Sequence, residues 1–127
     1  MKQYIKMVGE FHQVFDQKDA TKPTLVPKNL GKLRYSLLLE ENNEYLEAVE
    51  KDDLVGIADA LGDQLYIIFG TVLKHGLQDK IEEVFKEIQR SNMSKLGTDG
   101  KPIYREDGKI LKGPSYTKPD IASIINK

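Results

Sequence analysis

Apolar positions spaced three or four apart run through most of the chain, the period of α-helices that each bury one face. Ile5, Val8, Phe11 (or His12) and Phe15 predict a first helix, with both phenylalanines expected in its packing face. KDATKPTLVPKN follows, and its two prolines predict an extended connection. From about Leu30 to Glu50 the stripe Leu30, Leu33, Leu37 passes in register into Glu41, Glu44 and Ala48, so an apolar face turns acidic without changing sides. Lys51-Asp52-Asp53 predicts a turn and the N-cap of a third helix, ending near His75-Gly76. That helix carries Leu54, Ile57, Leu61, Leu65, Ile68 and Val72 as one stripe, and LYIIF is apolar almost all round, which predicts a central position. Asp79 is the expected cap of a fourth helix reaching about Asn92, with Ile81, Val84, Phe85 and Ile88 inward.

Beyond residue 95 the chain becomes rich in Gly, Pro and Lys. Asp107-Gly108 between PIYR and KILK predicts a small β-hairpin, and Asp120 to Asn126, after Pro119, a short last helix. The expected architecture is all-α: a four-helix-bundle-like domain over residues 1–95, with residues 96–127 as its C-terminal arm. Four helices of this length leave a thin core, so a homodimer or homotetramer is expected.

Composition narrows the chemistry. The chain has 127 residues and a net charge of −1, so no global field points to nucleic acid or an anionic membrane. It has no cysteine, which removes disulfides, zinc–thiolate sites and thiol nucleophiles. No uninterrupted apolar run approaches the roughly 20 residues of a membrane span, and MKQYIKMVGEF lacks a signal-peptide core. A cytoplasmic protein is the expectation.

The acids resist a bland explanation. Glu47 and Glu50 read as a solvated helix face, but Glu41 and Glu44 continue the Leu33/Leu37 stripe, and Asp59 and Asp63 interrupt an apolar run. Unpaired carboxylates in a core would each cost on the order of several kcal/mol or take up protons. Few cations are placed to pair with them. Mg²⁺, which prefers oxygen ligands and commonly bridges phosphates, resolves the conflict, with Mn²⁺ as a substitute. A di-iron bundle needs Glu-x-x-His on two helices, and the two histidines, His12 and His75, do not fit that spacing.

LLEENNEYLEAV followed by IADALGDQLYIIFGTVLKHG resembles the MazG-like all-α nucleoside triphosphate pyrophosphohydrolases, near the phosphoribosyl-ATP pyrophosphohydrolase-like and dUTPase-like members. RSNMSK (90–95), the DGK segments and GPSYTKPDI extend the likeness into the C-terminal part. The family signature is Glu-x-x-Glu, a gap, then Glu-x-x-Asp. The first half is Glu41-x-x-Glu44, preceded by Glu40. The second half fits as Gly56-x-x-Asp59 or Ala60-x-x-Asp63, and both frames lack the glutamate. On an ideal helix position 56 projects within about 20° of Asp63, whereas position 60 lies about 60° beyond it. That favours the Gly56 frame, with Asp59 as the motif aspartate and Asp63 as a neighbouring ligand.

The resemblance implies Mg²⁺-dependent cleavage of a nucleoside triphosphate between its α and β phosphates, giving a monophosphate and pyrophosphate. Glu41, Glu44, Asp59 and Asp63 are then the expected metal ligands, and Glu40 and Glu41 the catalytic carboxylates. Arg90, Asn92 and Lys95, with Lys109 and Lys112 on the arm, are candidates for the phosphates, and His12 with Phe11 and Phe15 for the base. The competing reading is a catalytically weakened nucleotide-binding or interaction bundle, supported by the missing glutamate.

Overall fold

The first helix, α1 (Lys2–Val14), buries Ile5, Val8 and His12 on one face and stops where Asp16 turns into the left-handed region at φ 56°. All 127 residues are described in this computed structural model, in two units, Met1–Asp79 and Lys80–Lys127. The architecture is all-α, a helical bundle followed by a two-strand hairpin and a short helix, as the periodicity predicts.

In the first unit α2 (Lys28–Glu50) and α3 (Leu54–Lys74) pack along each other, and α1 packs on α3. Asp53 caps α3 as expected, its carboxylate accepting the Gly56 N–H at 3.0 Å. At the far end Gly76 takes φ 64°, and the Leu77 and Gly76 amides donate to the Val72 and Leu73 carbonyls at 2.9 and 3.1 Å. This doubled closure satisfies carbonyls that the helix leaves free. A Cβ on Gly76 would also run into the Lys22 backbone. The connection after α1 is tied over this helix end: the Ala20 amide donates to Leu73 O at 3.1 Å and the Thr24 amide to His75 O at 2.9 Å.

Burial departs from the predicted stripes. Ile5, Val8, Ala48, Ala60, Val72 and Leu73 form the apolar core, whereas Leu54, Leu61, Leu65 and Ile68 are exposed. The reason is geometric: only the sector of α3 between α1 and α2 is covered, and a helix apolar all round presents its remainder outward. By length and composition α3, with a window of mean hydropathy 1.2, is also the one helix apolar enough to cross a membrane.

In the second unit α4 (Ile81–Met93) has Lys80 at its N-cap and no side-chain cap, so Asp79 does not serve as predicted. It packs with α5 (Ile121–Ile125), capped by Asp120. Between them β1 (Ile103–Tyr104) and β2 (Ile110–Leu111) pair antiparallel, Ile103 opposite Leu111, around a turn where Gly108 has φ 88°. The Ser91 hydroxyl donates to Thr117 O at 2.9 Å, and the Gly113 amide to Lys95 O at 2.8 Å. These bonds tie α4 to the C-terminal segment within the second unit, Lys80–Lys127.

Candidate functional site

Glu41 and Glu44, one turn apart on α2, meet Asp63 of α3 across the packed helix pair. One carboxylate oxygen from each lies within 4.8 Å of the others. The packing of α2 on α3 half-buries Glu41, and its Oε2 is fully enclosed without a hydrogen-bond partner. No Lys, Arg or His forms an ion pair with any of the three. Desolvation, then the hydrogen bond and charge of Glu44 and the charges of Asp63 and Glu40, push the Glu41 carboxyl up to about 7. Three converging carboxylates, one with an orphaned oxygen, are a donor set that a hard divalent cation satisfies.

The structure therefore brings together three of the four predicted ligands. Asp59 is exposed and lies outside the group. Glu40 is exposed beside it and acts on Glu41 through its charge. Of the two aspartates, Asp63 faces Glu41 and Glu44, while Asp59, favoured as the motif aspartate, stands apart from them. A Cβ at Gly56 would stand 2.6 Å from Asp53 Oδ2 and 3.1 Å from the Ala48 Cβ, so the capping carboxylate would have to shift to admit a side chain. Ala60 is 1% exposed and belongs to the apolar core.

A second polar cluster escaped the sequence reading. The Arg34 Nη2 donates to Ile67 O and its Nε to the Thr71 hydroxyl, both at 2.9 Å, so Arg34 grips the backbone of α3 instead of neutralising the acids. Burial lowers its pKa, and Asp19 partly offsets that. His12, 4% exposed, sets Nδ1 2.7 Å from Asp19 Oδ1, and buried Lys74 donates to Lys18 O at 2.7 Å. Gly70 makes room for both: a Cβ there would stand 2.6 Å from Arg34 Nη2 and 3.2 Å from His12 Nε2. His12 is thus turned inward and is not a surface contact for a base. Only the absence of a side chain at Gly70 and the charge of Asp19 hinted at this cluster, and neither has a helical spacing to reveal it.

The predicted phosphate partners all belong to the second unit. Arg90 forks onto Glu87 with its Nη2 2.8 Å from Oε1, and donates to the Thr117 hydroxyl at 2.7 Å. That pairing holds Glu87 down at about 2. Arg90 thereby organises the C-terminal segment. Asn92, Lys109 and Lys112 are exposed and Lys95 is half-buried; the Lys112 ammonium stands 4.7 Å over the Tyr116 ring.

Residues 8–92 match the model of the phosphoribosyl-ATP pyrophosphohydrolase family. The chain also resembles a crystal structure from Exiguobacterium sp. 255-15 whose NTP pyrophosphohydrolase activity is inferred. That likeness has 29% identity and a TM-score of 0.54, over 97% of this chain and 94% of that one. An uncharacterized protein of Acanthamoeba polyphaga mimivirus is 37% identical over 59 residues, which is 46% of this chain and 20% of the viral protein.

Proposed function

The chain belongs to the phosphoribosyl-ATP pyrophosphohydrolase family, and from that premise we propose that it hydrolyses a nucleoside triphosphate between the α and β phosphates, releasing a monophosphate and pyrophosphate. The observation that carries the reading is the enclosed, unpartnered Oε2 of Glu41 between Glu44 and Asp63. Such an oxygen is stable only with a proton or a cation.

Glu41, Glu44 and Asp63 would hold Mg²⁺, with Mn²⁺ able to replace it. The ion, when bound, supplies charge for the phosphate oxygens and lowers the cost of activating water. The three acids bind a polyanion only in this loaded form, since bare carboxylates repel it. Glu40, exposed next to the cluster, is the carboxylate free to take the proton of the attacking water. The new bond is oxygen to the α phosphorus; the anhydride bond to the β phosphate breaks, and pyrophosphate leaves with its electron pair. Lys95, Lys109, Lys112 and Asn92 remain candidates for the outer phosphates. The reading carries with it a homo-oligomer and a cytoplasmic setting.

The test is direct. Pure protein is incubated with Mg²⁺ and a panel of nucleoside triphosphates, with phosphoribosyl-ATP included, and the products are identified. Monophosphate and pyrophosphate in equal amounts are expected, and their loss in Glu41→Gln. One observation favours the second reading, a weakened nucleotide-binding protein: the motif lacks its second glutamate in either frame. Binding without cleavage across the whole panel would establish that reading in place of the first.

A further inference from the structure

The carboxylates converge only while α2 and α3 keep one register, and apolar packing gives that register little definition. Ala48 is the only buried residue of α2, and its side chain is a single methyl. Apolar attraction has no direction, so a seam of small residues tolerates slippage.

A polar contact on the same seam does have direction. From α2 the Arg34 Nη2 donates to the Ile67 carbonyl and its Nε to the Thr71 hydroxyl, both at 2.9 Å. The Thr71 hydroxyl donates in turn to the Ile67 carbonyl at 2.9 Å, which closes the three groups into a ring. A planar guanidinium held at two acceptors fixes orientation as well as distance. A slide by one residue, about 1.5 Å, would break both bonds.

Arg34 stands two turns before Glu41 on α2, and Ile67 one turn after Asp63 on α3. A displacement at the fork therefore passes along two rigid helices into the carboxylate triad. Mg²⁺ demands near-ideal octahedral geometry at roughly 2.1 Å, so the same slide would spoil the donor set. Resting on the metal-dependent reading, we propose that Arg34 is a positioning residue for the metal centre. It pins α2 against α3 and so holds Glu41 and Glu44 opposite Asp63, while lying outside the ligand group. Buried polar groups that set helix register are the best-attested use of such contacts.

Charge alone predicts the opposite sign. A guanidinium repels a nearby cation, so removing it would strengthen metal binding, whereas a lost register weakens it. The test is calorimetric titration of the metal-free full chain with Mn²⁺, with Asp63→Asn marking the binding that belongs to the triad. Arg34→Met should lose about tenfold in Mn²⁺ affinity, as for groups that orient metal ligands. Arg34→Lys keeps the charge without the fork and should also lose affinity. Thr71→Val removes one acceptor and should lose less than Arg34→Met. Val8→Ala, at a core position of α1 that is 2% exposed, should lower stability and leave Mn²⁺ affinity unchanged. If Arg34→Met does not fold, Arg34→Lys and Thr71→Val decide the matter. Equal or tighter binding by Arg34→Met, full affinity in Arg34→Lys, or the same loss in Val8→Ala would overturn the proposal while leaving the proposed function intact. No Mn²⁺ binding by wild type would overturn both. Weakened binding by the Arg34 variants of a chain that cleaves no nucleotide would uphold the register pin and remove the function.

Discussion

At the scale of single residues the site turns on two positions that helical geometry alone could not separate. Asp59 and Asp63 lie one turn apart on α3, and only Asp63 converges with Glu41 and Glu44. Asp63→Asn should therefore lower Mg²⁺-dependent hydrolysis by more than the roughly 10–100-fold typical of a residue outside the ligand shell. Asp59→Asn should stay within about threefold, and equal losses in steady-state assays would refute this division. Gly70 makes a comparable claim on packing. The Arg34 and His12 side chains occupy the space a Cβ would need, so Gly70→Ala should cost about 1–3 kcal/mol by overpacking. Chemical denaturation would show it as a lower midpoint at unchanged slope.

At the scale of elements, the turn between α2 and α3 aligns the carboxylates. Asp52 sits at φ 52°, Asp53 caps α3, and Gly56 and Ala48 close against one another over the cap. Asp53→Ala should destabilise by about 1 kcal/mol, the usual worth of a helix cap. Restoring a glutamate in the Gly56 frame is the sharper experiment. Gly56→Glu forces a Cβ to 2.6 Å from Asp53, so it should lower stability and add no activity; a gain in activity would assign the motif to that frame. The predicted helices α1 to α3 were legible because their periodicity and turn residues are local signals. The cap of α4 was misread because an acid near a helix start is not enough: its carboxylate must also reach an amide of the first turn, and no side chain caps α4.

For the whole molecule, charge links stability to pH and metal. Glu41 keeps its proton up to about pH 7 in the folded chain, against an ordinary value of 4.5. Between those values the folded state binds more protons than the unfolded one, so the metal-free protein loses stability as pH rises through that window. Its Tm should fall by roughly 5 °C between pH 5 and pH 8, and Mg²⁺ should restore most of the loss at pH 8 but little at pH 5, where it competes with the proton. A flat metal-free profile from differential scanning calorimetry would contradict the carboxylate triad. The exposed apolar residues of α3, among them Leu61, Leu65 and Ile68, carry the expectation of self-association. Light scattering should find a dimer or tetramer, and a monomer would remove that expectation.

Some of this protein is written in short-range pattern. Spacing of three and four determined the all-α class, Asp53 and Gly76 determined where α3 begins and ends, and the acids entering an apolar stripe marked the site. Those features survive translation into structure because each depends on residues within one or two turns. Which aspartate faces the glutamates and where Arg34 and His12 are spent were decided by the approach of α1 and α2 to α3. So was the exposure of Phe11, Phe15 and Tyr66. An apolar residue on a helix is directed inward only if another element covers it, and coverage is a property of the packed helices, which no single helix's sequence contains.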